Sequence, residues 1–472
     1  MAATRSTAKN SLSALHPREL ARSLSASLNQ NALLRSRIGS VFHLLTGNFG
    51  VAITMLASTA VAARTLGAAD FGALALILAL GRVCERLVRF ESWQPLIRFV
   101  AAEENAADPQ RLSQLYAYGL LLDVCSAFLA AVMCVVTGWL AASHVGLTPD
   151  QGKLVAVYAA AIAINFRGMA SAALRMSGKF RTIAYIQFVG GLTRLALALL
   201  VYLTGGSLLE FIAAWTFAQA LDSLVFNWIG LRTLAQNGIP SPFKASWRKL
   251  SDKFPGFLGF AFSTNLSSAL RTLTHEADTL LVGFFAGPAA AGLYFLSRRV
   301  AKIAQQGGDL IQTVAYPDMA RMWTGKGIAN LAQTVKWLQI ILAVGATVAI
   351  TLCWFAGEWA LHLVFGPDFV DAFPMLLAQL LAVALVLHAA PSRSALLAMN
   401  RPTYVLAVAA AATVIFFATA LAALPSLGAV GVNLAHIAFG LFTAVSLDVA
   451  MWRGLGRVRA EMAEERLEEG KA

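Results

Sequence analysis

One apolar segment carries a concentration of ionisable side chains. Residues 265–287, "NLSSALRTLTHEADTLLVGFFAG", hold Arg271, His275, Glu276 and Asp278 within eight positions. The first, second and fourth of these are spaced i, i+4 and i+7, which places them on one helix face and lets them pair along it. A charge at the centre of a bilayer costs about 2.5–3.5 kcal/mol. We therefore predict that this face borders a hydrated cavity, with His275 and Asp278 as candidate proton carriers. The alternative is a self-neutralising cluster at the cytoplasmic end of an over-long helix.

Other apolar segments carry cations at comparable depth. Arg298 and Lys302 share a face of the next helix, and Arg82 precedes Lys302 by 220 residues in the first half of the chain. Arg194 stands in "QFVGGLTRLALALLVYL" with no carboxylate in the same run. An unpaired mid-membrane arginine indicates a water-filled cavity or an anionic ligand, although hydrogen bonds to carbonyl groups of a neighbouring helix are the alternative. A cavity with an excess of guanidinium groups would select a phosphate-bearing anion.

Composition assigns these segments to a membrane. Hydrophobic residues make up 58% and charged residues 13% of the 472-residue chain, and the mean hydropathy is +0.66. Soluble domains have roughly 45–50% apolar and about 25% charged residues. The four cysteines lie in apolar runs without CxxC spacing, and the seven histidines show no ligand spacing, so we expect no metal site and no cofactor. The sequence contains no GxxxxGK[ST], HExxH or GxSxG motif, which argues against an enzyme.

The hydrophobic runs predict an all-α polytopic membrane protein with twelve transmembrane helices. Most lysines and arginines fall in alternate short connections, whereas the other connections hold only Arg64 and Lys153. This is the positive-inside pattern, so both termini are expected in the cytoplasm, and the basic pI near 9.8 does not indicate nucleic acid. We predict helices at 41–63, 70–90, 115–141, 153–173, 183–203, 207–231, 255–286, 288–315, 333–356, 370–398, 402–423 and 428–451.

An internal repeat divides the chain into two halves. "LGAADFG" (66–72) aligns with "AGPAAAG" (286–292), and "ALRMSGKFR" (173–181) aligns with "ALLAMNRPT" (395–403), at offsets of 220 and 222. We predict two pseudo-symmetric six-helix bundles, 41–233 and 255–452, around a central cavity. A cytoplasmic linker (234–254) joins them, a charged tail (453–472) follows, and the N-terminal segment (1–40) is either an amphipathic surface helix or disordered.

Two stretches resemble a known family. "GNFGVAITMLASTAVAARTLGAADFGALAL" (47–76) resembles the first two helices of O-antigen-type polysaccharide flippases, and "AGPAAAGLYFLSRRVAKIAQQGGDLIQTVAYPDMAR" (286–321) resembles the corresponding motif of the second half. The resemblance places the chain in the multidrug/oligosaccharidyl-lipid/polysaccharide exporter superfamily. It implies a V-shaped cavity whose substrate-binding cations, matched by helix and depth, are Arg82, Arg194, Arg271, Arg298 and Lys302.

The resemblance also implies an activity and partners. Family members move an undecaprenyl-pyrophosphate-linked glycan from the cytoplasmic to the periplasmic face of the cell inner membrane, and a polysaccharide polymerase and a chain-length regulator would act with them. The lipid II branch typically has two further C-terminal helices, which the charged tail argues against. The alternative is a multidrug cation antiporter of the same superfamily, which usually relies on cavity carboxylates. A membrane ligase or polymerase would need a large outer loop, and none of the predicted outer loops exceeds about 15 residues.

Overall fold

The computed structural model describes residues 32–103, 108–324 and 328–469; helices over 32–49, 267–275, 307–318 and 461–469 are described by their backbone alone. The expectation of an amphipathic or disordered N-terminal segment therefore lies mostly outside the described residues. The described residues form α1 (Ala32–Val88), α2 (Trp93–Glu103), α3 (Pro109–Ala141), α4 (Pro149–Ile164), α5 (Gly168–Met176), α6 (Phe180–Leu203), α7 (Leu208–Gln236), α8 (Leu250–Lys253), α9 (Phe257–Thr324), α10 (Ile328–Phe365), α11 (Phe373–Ala398), α12 (Pro402–Leu427) and α13 (Ala429–Glu469).

Two of these helices are bent at a single glycine. Gly67 in α1 has φ 68° and ψ 178°, and Gly287 in α9 has φ 82° and ψ 175°. A side chain at such a φ would be strained, so glycine at these two positions permits the backbone to leave one helix and enter the next without a loop. We call the end of the molecule that holds these two residues the kink end.

The predicted all-α membrane fold is confirmed. Ten helices among the described residues are long and apolar enough to cross a membrane. Two of the ten, Gly50–Glu103 and Glu276–Gln306, contain the kink glycines and each joins parts of two successive predicted helices. If each of these two segments is divided at its kink glycine, the arrangement is consistent with twelve spans.

The backbone repeats along the chain as the sequence does. Residues with positive φ recur as pairs: Gly67 with Gly287, Gly146 with Gly366, Gly178 with Asn400, and Gly205 with Gly428. The pairs are 220, 220, 222 and 223 residues apart, and each pair follows equivalent helices in the two halves. Among the described residues, the other positive-φ positions, Gly238, Lys249 and Gly256, all lie in the connection between α7 and α9.

The fourth predicted helix, 153–173, is broken where the sequence indicated continuity. The chain unwinds at 165–167 between α4 and α5, and a second break separates α1 from α2. Asp123 of α3, which is 1% exposed, joins the two breaks: its carboxylate accepts hydrogen bonds from Ser92 N (2.9 Å), Ser92 Oγ (2.8 Å) and Met169 N (2.7 Å). A Cβ at Gly168 would lie 2.4 Å from that carboxylate, so glycine is required there. Asp123 therefore holds the two breaks together through its hydrogen bonds.

The two halves meet closely at the kink end. A Cβ at Gly72 would lie 1.8 Å from the carbonyl oxygen of Pro288, and one at Gly292 would lie 2.9 Å from Gly72 Cα. Helices α1 and α9 therefore touch backbone to backbone. Beside this contact, Arg64 donates hydrogen bonds to the carbonyl groups of Leu363 and Val364 at the end of α10. The buried core of the two halves is continuous through this region.

Candidate functional site

A large cavity lies inside the first half of the chain. It has a volume of about 530 Å³ and opens between α1, the two chain breaks, α6 and α7. A smaller cavity of about 200 Å³ lies between α1 and α9. Val51 and Met55 of α1 line both, so the two voids adjoin. We call them the main cavity and the side cavity.

Two cavity arginines each have a buried donor atom without a hydrogen-bond partner among the described residues. Arg194 of α6 lines the main cavity and Arg299 of α9 lines the side cavity. Arg194 Nε and Arg299 Nη1 are buried, and neither atom has a hydrogen-bond partner among the described residues. Their guanidinium carbons lie 5.7 Å from the ring centre of Trp215 and 5.1 Å from that of Phe295, respectively. Such contacts offset part of the desolvation cost but leave hydrogen-bond donors available for an anion.

The adjacent Arg298 is in the opposite situation. Its Nη1 lies 2.6 Å from Oδ1 of the fully buried Asp278. The other oxygen of Asp278 accepts a hydrogen bond from Tyr294 Oη (2.8 Å) and lies 3.1 Å from His436 Nε2 of α13. Asp278 therefore joins α9 to α13 below the cavity surface. Of the Arg298–Asp278 pair, only Arg298 lines the side cavity.

The remaining side-cavity charges include a second ion pair. Arg82 Nε lies 2.6 Å from Glu276 Oε2, which connects α1 of the first half with α9 of the second. The exposed Lys302 completes the cationic lining. Glu276 and not Asp278 therefore borders the cavity, because the helix turns the aspartate into the core. Carboxylates neutralise only part of the positive charge of this surface.

Each candidate site residue from the sequence now has a place. Arg194 lines the main cavity, whereas Arg82, Arg298 and Lys302 line the side cavity. Arg271 and His275 lie on α9, but their side chains are outside the described residues. The structure thus brings four of the five candidate cations to two adjoining voids.

Several cavity residues escaped the sequence analysis as site candidates. Arg167 and Arg175 were not among the predicted site residues, yet the break between α4 and α5 places both against the main cavity. Arg167 Nη1 lies 2.7 Å from Asp222 Oδ2 of α7, and the Arg175 guanidinium carbon lies 4.4 Å from the Trp93 ring centre. The "NFRG" sequence at the break, which ends a helix without proline, was the one local signal.

The second half holds a related polar cluster. Asp448 of α13 lies 3.0 Å from His388 Nε2 of α11 and accepts hydrogen bonds from Ser392 and from Gln339 of α10. The His388–Asp448 pair joins the fourth and sixth helices of its half, as Arg167–Asp222 does in the first half. The repeat thus retains a contact between a basic side chain and a carboxylate at matching helices while the residue types differ.

The comparisons with known proteins agree with this architecture. A family model described as "Polysaccharide biosynthesis protein" matches residues 61–374. The chain belongs to this polysaccharide biosynthesis protein family. It is 22% identical over 336 residues to inner membrane protein YghQ of Escherichia coli (strain K12), covering 70% of this chain and 93% of that protein.

Solved structures share the fold at low sequence identity. The lipid II flippase MurJ in an inward closed conformation superposes with a TM-score of 0.66 at 13% identity, covering 86% of this chain and 87% of that one. An inward-facing multidrug resistance MATE family transporter of the MOP superfamily gives 0.58 at 14% identity, covering 88% and 94%. The chain therefore is a multi-pass membrane protein with the fold of these transporters.

Proposed function

We propose that this protein is an inner-membrane flippase for an undecaprenyl-pyrophosphate-linked oligosaccharide used in polysaccharide biosynthesis, such as O-antigen, capsule or exopolysaccharide. The observation that carries the proposal is a pair of buried guanidinium donors, on Arg194 and Arg299, that have no partner among the described residues and face two adjoining voids. Buried donors without partners are costly, so their presence is best explained by an anionic ligand that satisfies them. Membership of a polysaccharide biosynthesis family and a transporter fold supports the same substrate class.

The paired arginine suggests how binding could change the conformation. Arg298 contacts Asp278 from within reach of the side cavity. A pyrophosphate in that cavity would compete with Asp278 for the guanidinium, since both are anionic oxygen acceptors. Release of Asp278 would remove its guanidinium partner and change the environment of its contact with His436 of α13, which would connect substrate binding to the packing of α9 against α13.

Proton coupling is proposed at the same place. Protonation of Asp278, with His275 as a second carrier, would free Arg298 for the substrate, and deprotonation would displace the substrate again. Alternating access between the two six-helix halves, 41–233 and 255–452, would then carry the headgroup across with both termini in the cytoplasm. Transport that persists unchanged after collapse of the proton and sodium gradients would refute the coupling.

A deletion strain tests the proposed function. We expect undecaprenyl-linked oligosaccharide to accumulate and to stay inaccessible to a lectin added to spheroplasts. Wild-type protein should restore accessibility, whereas Arg194→Gln combined with Arg299→Gln should not. Arg248→Gln, at an exposed position in the linker, is the matched control. A normal glycan profile with altered dye efflux would overturn the proposal in favour of the multidrug antiporter.

A further inference from the structure

Along part of its length, helix α6 alone separates the main cavity from the outside of the helix bundle. We call this stretch the thin wall. Its buried residues are Ile183, Ala184 and Ile186 near one end and Ala198 and Val201 near the other. None of the residues from 187 to 197 is buried. One side of this stretch, including Arg194, lines the main cavity, and the other side is exposed on the outside of the helix bundle.

The equivalent helix of the second half does not share this property. In α12, the fifth helix of that half, Val408, Ala412, Phe416 and Ala420 are buried at every fourth position. That spacing is the one expected for a helix packed along its whole length. The thin wall of α6 is therefore not shared by its equivalent in the second half.

An apolar groove follows the outer side of this wall. It has a volume of about 320 Å³ and lies between α6 and α7, and its apolar lining comprises Tyr185, Ile186, Val189, Leu221, Val225 and Ile229. On α6 it extends from Thr182 to Thr193, about 16 Å at 1.5 Å per residue. That length is about half the roughly 30 Å hydrocarbon core of a bilayer.

The residues between the groove and the main cavity are a glycine, an alanine and an aspartate that forms an ion pair with Arg167. Gly190, Ala218 and Asp222 line both voids. A Cβ at Gly190 would lie 2.8 Å from the Asp222 carboxyl group, so the two helices approach each other at a glycine. Arg194 follows Gly190 by one helical turn and faces the cavity side of the same partition.

We propose that the α6–α7 groove binds the prenyl chain of the lipid-linked substrate while its pyrophosphate contacts Arg194. This inference depends on the proposed function and specifies where the substrate crosses the protein wall. The anionic and the apolar parts of such a lipid are covalently joined, so their two sites must adjoin. Here the apolar groove and the cationic cavity adjoin at three residues, and branched aliphatic side chains offer a surface that matches a methyl-branched chain.

Site-specific photo-crosslinking of the full-length protein tests the assignment. Benzoylphenylalanine is placed singly at Val225 in the groove, at the neighbouring Leu224, which is exposed outside the groove, and at Gln187 in the main cavity. Each purified variant is reconstituted in phosphatidylethanolamine–phosphatidylglycerol vesicles with radiolabelled undecaprenyl pyrophosphate and irradiated. We expect position 225 to capture several-fold more label than 224, and excess unlabelled undecaprenyl pyrophosphate, but not extra phosphatidylglycerol, to abolish that signal.

The outcomes separate the groove from the proposed function. Label at 187 together with label at 225 no greater than at 224 would overturn the groove assignment and leave the flippase standing. Competition at 225 by phosphatidylglycerol would also overturn it, since the groove would then hold bulk lipid. Label at neither 187 nor 225 would overturn both proposals.

A pair of tryptophan variants gives an independent readout. Val189→Trp would fill the groove, whereas Leu192→Trp adds the same bulk on α6 outside it. We expect a loss of glycan translocation with the first variant and not with the second, at equal amounts of folded protein. Equal translocation by both would contradict the assignment.

Discussion

Arg298 and Arg299 are adjacent on α9, yet their substitution by glutamine should change stability in opposite directions. Arg298 neutralises the fully buried Asp278 at 2.6 Å. Removing one partner of a buried pair leaves an uncompensated charge and costs about 3–5 kcal/mol. Arg299 has a buried Nη1 without a hydrogen-bond partner among the described residues. Its removal relieves an unsatisfied buried donor worth about 1–3 kcal/mol.

These free energies correspond to measurable shifts of the melting temperature. At about 2 °C per kcal/mol, the value for larger domains, Arg298→Gln should lower the melting temperature by about 6–10 °C. On the same scale, Arg299→Gln should raise it by about 2–6 °C. Intrinsic tryptophan fluorescence of the detergent-solubilised protein, recorded at one fixed heating rate, gives the ranking, with Arg248→Gln as the neutral control.

The translocation activity of the two variants should not follow their melting temperatures. Arg299→Gln is expected to impair glycan translocation although it stabilises the protein, because the arginine is retained for its ligand. A melting temperature that falls as far with Arg299→Gln as with Arg298→Gln would refute the reasoning, since Arg299 would then have a structural partner.

Three further outcomes follow from the packing. Asp123→Ala should lower the melting temperature by several degrees, because three buried donors lose their acceptor at about 1–3 kcal/mol each; an unchanged value in the same fluorescence assay would contradict this. Gly72→Ala should increase maleimide labelling of a cysteine placed at the buried Ala291, since the new Cβ would lie 1.8 Å from the Pro288 carbonyl oxygen and separate the halves. Arg64→Ala should increase the same labelling with little change of the melting temperature, because its hydrogen bonds to the end of α10 are exposed; unchanged labelling would show that they do not hold the halves together.

The sequence predicted the helices well because their signals are local. Apolar runs of bilayer length and glycine-containing turns can be identified within a short stretch of sequence, without knowing which other residues pack against it. The expected boundary between the first two helices fell at Gly67, and the offset of 220 residues predicted the equivalent position at Gly287. The failures were tertiary: the break at 165–167 contacts the distant Asp123, and the local "NFRG" sequence does not reveal that partner.

The cavity charges show a similar division. Charged side chains in apolar segments indicated which helices face the site, and Arg194 is found there with no carboxylate partner in the part of the chain that the structure describes. Which arginine of the Arg298–Arg299 pair is free could not be predicted, because adjacent helical residues point in different directions and Asp278 is fixed by His436 from another helix. Residue spacing predicts which face of a helix a side chain occupies, but its ion-pair partner depends on how the helices pack.

The contact of Gly72 with Pro288 and Gly292 has a mechanical consequence. At the point of contact the two helices touch through bare backbone and have no side chains to disengage when they rotate past each other, while Phe71 and Phe295 pack beside it with ring centroids 6.1 Å apart. Such a contact acts as a pivot, whose resistance to a change of crossing angle is small compared with its resistance to separation. A few degrees of rotation there would be amplified with distance along α1 and α9, so the widest displacement would fall at the far end of the bundle.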